Sequence, residues 1–292
     1  MAAASCDRAP YRSVTVDSQP ARSESAAGTR PPGAAVLRFS VASIESPRDT
    51  FPGYRRLFDR VGRLMERDVE FVQRRTYREV NDLLISGQLD AALLCTGGYI
   101  DLERRASGAV EAVAVPVFAG SESFRSLILV PAASDAREFA DLRGRHFAFS
   151  DELSLSGHLY PLRVLHDWKV DPDRFFSGVT YTGSHDRSIQ AVAAGLVDGA
   201  AVHSAVLEVM EARDPSLARR VRVVHRSPPL GGMPVVVSLR LPPGTRARIR
   251  DILLALERDP EGRAALEAVH VDRFTAFSRE FYASSARIVE GL

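Results

Sequence analysis

Two short stretches of the chain set serine, histidine and glycine where an oxyanion could be held. The first is Ser150-Asp151-Glu152-Leu153-Ser154-Leu155-Ser156-Gly157, which follows the apolar run His146-Phe147-Ala148-Phe149. The second is Thr182-Gly183-Ser184-His185-Asp186, which follows residues 177–181. Each run predicts a short strand, and the stretch after it predicts a helix start. One helix should continue towards Trp168, and the other should cover about residues 185–195. A helix start leaves backbone N–H groups unpaired and carries the positive end of the helix dipole. With hydroxyl donors beside it, such a place binds an anion without any metal. Ser154, Ser156 and Ser184 would give hydroxyls, and Leu155 would give its backbone N–H. His185 falls in the first helical turn, where protonation is disfavoured, so it would act as a neutral donor. Serine is also an ordinary helix cap, and His185 is also readable as a solvated surface histidine. The residue types leave both roles open.

The rest of the chain must position these stretches. Residues 36–43 alternate and are β-rich, which predicts the first strand, followed by a helix over 52–67. Val69-Glu70-Phe71-Val72 is the second strand. Thr76-Tyr77 opens an amphipathic helix with Val80, Leu83 and Leu84 on one face, and Gly87 stops it. Residues 89–94 are the third strand, and Cys95-Thr96-Gly97-Gly98-Tyr99 turns into another helix. Residues 110–118 are the fourth strand. This alternation predicts an α/β fold with mostly parallel sheets flanked by helices. Residues 124–131 read as a first crossing into a second lobe. That lobe continues through a strand at 200–202, a helix to about Glu211 and a strand at 221–224. The Pro/Gly-rich residues 226–234 lead back to a strand at 235–239. Two crossings give lobe 1 as 36–120 plus 233–272, lobe 2 as 121–232, and a C-terminal helix at 273–292. Helices are expected at 243–256, 260–269 and 277–289. Ligands of open parallel sheets sit outside the carboxyl ends of strands. The loops 150–157, 182–186 and 95–99 all lie at such ends. Trp168, Phe175 and Phe176 read as core, and His203 is left outside the site.

The segments AFSDELSLSGHLYP (148–161) and DPDRFFSGVTYTGSHDRSIQAVAAGLVDGAAV (171–202) resemble the periplasmic phosphonate-, phosphite- and phosphate-binding proteins of ABC importers. That family carries an Asp-x-x-Ser-x-Ser-Gly helix start after a strand. It also carries a Phe-Phe pair, a Thr-Gly-Ser-His-Asp turn and a Gly-x-Val-Asp before the next strand. The likeness extends, more weakly, over about residues 36–274. The resemblance implies a type II periplasmic-binding-protein fold of two lobes with a ligand cleft between them. It implies an extracytoplasmic solute-binding protein that captures a small oxyanion for an ABC permease, with no cofactor and no metal. It also implies that His185 donates to a ligand oxygen. The phenols of Tyr77 and Tyr99 would reach the ligand from lobe 1, Tyr99 being the better match.

Some positions depart from the family. Leu155 replaces a hydroxylated residue between the two serines. Residues 230–234, Leu-Gly-Gly-Met-Pro, lack the acid that phosphonate binders place there to accept a proton from the oxyanion, and Met233 brings a soft thioether instead. Cys95, beside Thr96, stands at a strand end and helix start, where a thiol pKa is depressed; it is equally readable as a small buried hydrophobe. A cysteine close to this loop resembles the arsenite-binding sensors of the same superfamily, whose partner is a membrane histidine kinase.

Composition limits the alternatives. With 38 basic and 37 acidic residues there is no surplus of positive charge to bind a nucleic acid backbone. Two cysteines, Cys6 and Cys95, do not make a disulfide scaffold. Residues 1–35 lack periodicity and read as disordered, and no apolar h-region follows the first residue. Ala3-Ala4-Ser5-Cys6 resembles the end of a lipoprotein cleavage site, which would put a lipid anchor on Cys6; an arbitrary Ala-rich start is the other reading. No Gly-x-Ser-x-Gly elbow or metal-ligand spacing is present. The chain therefore reads as a monomeric binding protein. A hydrolase would need Ser154 or Ser156 activated by His185.

Overall fold

The computed structural model describes residues 36–42 and 44–292. The expectations for residues 1–35, Cys6 among them, lie outside the described residues.

The chain enters through β1 (Leu37–Val41), α1 (Pro47–Met65), β2 (Val69–Val72), α2 (Tyr77–Ser86), β3 (Ala91–Leu93), α3 (Thr96–Arg105) and β4 (Val110–Val117). It crosses through β5 (Ser123–Phe124) into β6 (Ser126–Pro131), β7 (His146–Phe149), α4 (Tyr160–Asp167), α5 (Pro172–Phe175) and β8 (Gly178–Tyr181). Then come α6 (His185–Ala193), β9 (Gly199–His203), α7 (Ser204–Arg213) and β10 (Val221–Arg226). It returns through β11 (Leu230–Gly231) to β12 (Val235–Ser238) and closes with α8 (Pro243–Ala255), α9 (Pro260–Glu267), β13 (Arg273–Ala276) and α10 (Arg279–Val289).

Local chemistry sets the element ends. Thr76 and Glu79 form a reciprocal capping box at the start of α2, and Gly87 ends the helix with φ 75°. Periodicity places the start of α1 at Pro52, whereas the helix begins at Pro47. The stretch 273–292, read as helix throughout, opens instead with the four-residue β13, which buries Phe274 between more exposed neighbours.

Two sheets carry the fold. In the first, ordered β13-β4-β12-β3-β1-β2, β1 runs parallel to β2 and β3. The returning β12 inserts antiparallel between β3 and β4, and β13 adds antiparallel outside β4. In the second, ordered β10-β6-β9-β7-β8, β7 runs parallel to β8 and β9. The crossing strand β6 is antiparallel to both β9 and β10. Both crossing strands therefore join their sheets against the prevailing direction, while the strands that end at the loops of interest stay parallel.

The two crossings are also bonded to each other. β5 pairs antiparallel with β11, Phe124 opposite Leu230 and Ser123 opposite Gly231. C-terminal α10 supports this ribbon: Ser285 Oγ accepts from Gly231 N–H, and Tyr282 donates its phenol to Gly232 O. The terminal helix thus holds the junction between the halves.

The second sheet packs on an aromatic core. Phe147 is fully buried, stacks on Phe176 at 4.5 Å and tilts against Phe139 at 6.0 Å. Phe175 joins this cluster, but Trp168 is 43% exposed and lies at its edge against Phe139 and Phe175. Phe147→Ala would leave a cavity that these rings cannot fill, at a cost of about 3–5 kcal/mol. Urea denaturation is expected to show a much lower midpoint with an unchanged slope.

Candidate functional site

Helix starts from both halves meet at one place. Ser154 caps a single π turn, residues Leu155–Leu159, which leads into α4; its Oγ accepts from Gly157 N–H at 3.0 Å. His185 opens α6, and its backbone N–H donates to Ile44 O in the other half at 2.9 Å. His203 ends β9 and caps α7, its Nδ1 accepting from Ala205 N–H at 3.2 Å. Tyr77 is the first residue of α2, and Cys95 precedes α3.

These groups are wired together. His185 Nδ1 accepts from the backbone N–H of His203 at 3.2 Å. The ring proton therefore sits on Nε2, 3.3 Å from Ser154 Oγ. Ser154 Oγ is thus an acceptor for both Gly157 and His185, and its own proton must go elsewhere. The Tyr77 phenol lies beside this hydroxyl. Ser126, opposite His203 in the β6–β9 register, donates to Ser156 O at 2.6 Å and pins Ser156 next to the second imidazole. Approach is close throughout: a Cβ on Gly157 would collide with Ser150 Oγ and the His185 ring.

Several of these atoms have no hydrogen-bond partner among the described residues. They are the hydroxyls of Tyr77, Ser150, Ser156 and Ser184 and the Nε2 of His203, all buried. Ser184 stands at the cap position of α6, yet its hydroxyl makes no cap bond. A buried polar group left unpaired costs about 1–3 kcal/mol, and native interiors rarely leave such groups together. A cluster of them is a cradle for acceptors that arrive from outside.

No formal positive charge bonds within the cradle; Arg74, Arg75, Arg78 and Arg187 line the wider cavity that Ser150 and Asp151 also line. Among the described residues, the cradle's hydrogen bonds involve no lysine or arginine side chain. Burial pushes the His185 imidazole down to about 3 and holds His203 well below its ordinary value, so both rings are neutral. Burial also raises Tyr77 well above the usual phenol value. Two carboxylates lie alongside. Asp151 accepts from Leu153 N–H (2.8 Å) and, across the cleft, from Tyr77 N–H (3.2 Å). Asp186 accepts from Ser46 N–H of the opposite half (2.9 Å). The positive potential comes from helix starts and from the outward-pointing hydrogens of neutral groups. No group of three or more His, Cys, Asp or Glu among the described residues is placed to hold a metal ion.

The structure brings Ser154, Leu155, Ser156, Ser184, His185 and Tyr77 together. Leu155 is fully buried and packs with Tyr77 and Cys95. Cys95 is a buried free thiol 4.0 Å from Leu153 O. Burial raises its pKa, outweighing the nearby N–H groups of Leu155 and Gly97 that would lower it, so the expected depressed thiol is not found. Thr96 is committed to the junction, its hydroxyl donating to Gly231 O and Gly232 O at 2.7 and 3.0 Å. Tyr99 sits apart, edge-on to Phe277 and Tyr282 at 5.7 and 5.8 Å, in the cluster beneath α2 and α3. Of the two tyrosines, Tyr77 is therefore the one at the cradle. Met233 is buried and lines a cavity of about 30 Å³ with Ala42, Ile44, Tyr54 and His203. His203 and Ser150 are the members that sequence reasoning missed. The signal for His203 was there: it stands at a strand end directly before a helix, as Ser154 and Ser184 do.

Comparison with known proteins gives a consistent result. A family model described as "ABC transporter, phosphonate, periplasmic substrate-binding protein" matches residues 39–282. The phosphonates-binding periplasmic protein of Escherichia coli is 24% identical over 248 residues, covering 83% of this chain and 72% of that protein. A binding protein component of an ABC phosphonate transporter from Pseudomonas aeruginosa superposes with a TM-score of 0.80 at 22% identity, over 88% of this chain and 86% of the other. PhnD1 from Prochlorococcus marinus, solved with methylphosphonate, gives 0.76 at 17% identity, over 87% and 96%. The architecture is that of a two-lobed type II periplasmic binding protein.

Two outcomes are expected of the protein without ligand. The unfolded chain binds protons on histidine below pH 6.5, while folded His185 and His203 refuse them. Stability should therefore be complete above about pH 6.5 and fall as the pH drops towards about 3, by up to about 1.4 kcal/mol per unit per histidine. Urea midpoints at pH 7.5, 6 and 5 check this; equal midpoints would contradict it. Tyr77→Phe removes a buried hydroxyl whose polar neighbour is the Ser154 hydroxyl and should leave the midpoint within about 1 kcal/mol of the parent protein.

Proposed function

Since the chain belongs to the periplasmic phosphonate-binding family of ABC transporters, we propose that it captures a small oxyanion of the phosphonate, phosphite or phosphate type and delivers it to an ABC importer. The buried cluster of unpartnered donors carries this reading. Tyr77 offers its phenol from one lobe. Ser156 and Ser184 offer hydroxyls and His203 its ring N–H from the other, while His185 holds Ser154 in place through its own ring N–H. Together they can surround the oxygens of a tetrahedral head group. Met233 and its small apolar cavity offer room for a substituent about the size of a methyl group.

Sheet membership supports a lobe 1 of residues 36–120 plus 233–272, extended by β13, and a lobe 2 of 121–232. Direct bonds between the lobes support a ligand-closed arrangement: His185 N–H to Ile44 O, Ser46 N–H to Asp186 and Tyr77 N–H to Asp151. Hinge closure of this kind encloses a ligand. The family's place is on the periplasmic side of the membrane, with a transporter permease as partner.

Binding rather than hydrolysis suits the geometry. With Nδ1 occupied by the His203 N–H, His185 Nε2 carries a proton and faces Ser154 as a donor. It cannot take a proton from that serine in this arrangement. Cys95, a buried protonated thiol, offers nothing that favours the sensor reading over the importer.

In a thermal-shift panel of methylphosphonate, phosphite, phosphate and sulfate, a true ligand at a hundredfold over Kd should add about 2.7 kcal/mol of stability. The same ligand should compact the protein in small-angle scattering. Closure can be tested separately at Gly97, where a Cβ would collide with Leu153 O across the cleft. Gly97→Ala should weaken binding at least about tenfold, or 1.4 kcal/mol. A Gly97→Ala variant with wild-type affinity, or silence from every oxyanion, would sink the reading.

A further inference from the structure

We infer that the Met233 side chain sets the length of substituent the site accepts, by walling off the small cavity beside His203 from a larger one behind it. The inference rests on the oxyanion reading above. It adds the residue that limits the ligand and the class that results, phosphonates whose substituent is short.

Two cavities meet at the edge of the cradle. The first, of about 30 Å³, lies between the lobes, with Ile44 and Tyr54 on one side and His203 and Val206 on the other. The second, of about 390 Å³, runs past Phe124 towards Glu208 and Arg226. They share four lining residues, Phe118, His203, Ala205 and Met233, which therefore form the wall between them. A head group that accepts from His203 Nε2 would have its substituent at this wall.

Three of the four are fixed. His203 Nδ1 accepts from Ala205 N–H at 3.2 Å, and its ring stacks on Phe124 at 4.1 Å. Ala205 ends at its methyl. Phe118 and Ser121 each donate a backbone N–H to the other's carbonyl at 2.9 Å, and the Phe118 ring packs against the core. Met233 is different. Its backbone is pinned on both sides, because Gly232 O accepts from Thr96 and Tyr282, and Pro234 O accepts from Leu94 N–H. Its side chain is buried, unbranched and polarizable, the kind that fills an irregular gap. The part of the wall that can be shortened is therefore the thioether.

The far side of the small cavity is closed among the described residues. Arg213 engages both Glu45 and His270 there, at 3.7 and 2.8 Å. Val41, Tyr54 and Val206 are buried. A space of this size holds roughly one or two non-hydrogen atoms. A four-carbon chain needs the larger cavity, and Met233 stands in its path.

The test is calorimetric titration of the whole chain, and of its Met233→Ala and Met233→Val variants, with methylphosphonate and n-butylphosphonate. Each protein supplies its own reference, because the readout is the ratio of the two affinities. The parent protein should bind butylphosphonate at least about a hundredfold more weakly than methylphosphonate. The ratio should shrink to about tenfold or less in Met233→Ala. It should fall between these values in Met233→Val, which keeps more of the core volume and secures the test if alanine costs the protein its fold. Equal affinity of the parent protein for both would overturn the inference, and would send the substituent out through the broad cavity at Ser150 and Asp151 instead. So would the same steep ratio in the parent and both variants. Failure of both phosphonates to bind the parent protein would overturn the oxyanion reading itself, and the inference with it.

Discussion

A hydrogen-bond donor buried without an acceptor is expensive, and this chain gathers several of them in one spot. Tyr77, Ser156, Ser184 and His203 could each have been turned towards a carbonyl, as Thr96 is. They are held away from one by neighbours that are themselves fully bonded. The His203 backbone fixes the His185 ring, Ser126 fixes the Ser156 carbonyl, and Ser154 is fixed by Gly157. Preorganisation here consists of satisfied groups that keep unsatisfied ones in place. Much of the architecture serves that end. Parallel strands β7, β8 and β9 end side by side, so the helices after them start side by side.

Neutrality is the second theme. An anion site made from arginines would attract many anions and hold their counterions. A site made from hydroxyls, imidazoles and helix starts discriminates by the number and direction of its hydrogen bonds. The two carboxylates at its edge reinforce this. Asp151 follows β7 and accepts from the first N–H of α2, and Asp186, in the first turn of α6, accepts from Ser46 N–H just before α1, so each bonds the opposite half.

The sequence made legible what depends on neighbours in the chain. The two strand-to-helix stretches, the capping box of α2 and the glycine that ends it are all local, and the structure has them. What depended on distant packing was not legible. The insertion of β12 between β3 and β4 is a pairing across more than a hundred residues, and no periodicity encodes it. Cys95 has the local setting of an activated thiol, but Leu153, Leu155 and Phe124 bury it, and desolvation wins. Tyr77 and Tyr99 are both tyrosines near the starts of helices. Only the packing of Phe277 and Tyr282 from the far end of the chain separates their roles. His203 was left out because a histidine at a strand end reads equally as structural or functional; its stacking on Phe124 at 4.1 Å and its unpartnered Nε2 make it core on one face and open on one atom.

The ribbon of β5 and β11 has a mechanical consequence. Two independent crossings would let the halves twist, slide and bend against one another. Two crossings hydrogen-bonded to each other behave as a single axle, with Thr96, Tyr282 and Ser285 as its bearings. Motion about such an axle has one degree of freedom. The whole outer surface, including faces far from the cleft, is then a function of one angle. A membrane partner that touches one patch on each half can read occupancy from the distance between those patches and never needs to see the ligand.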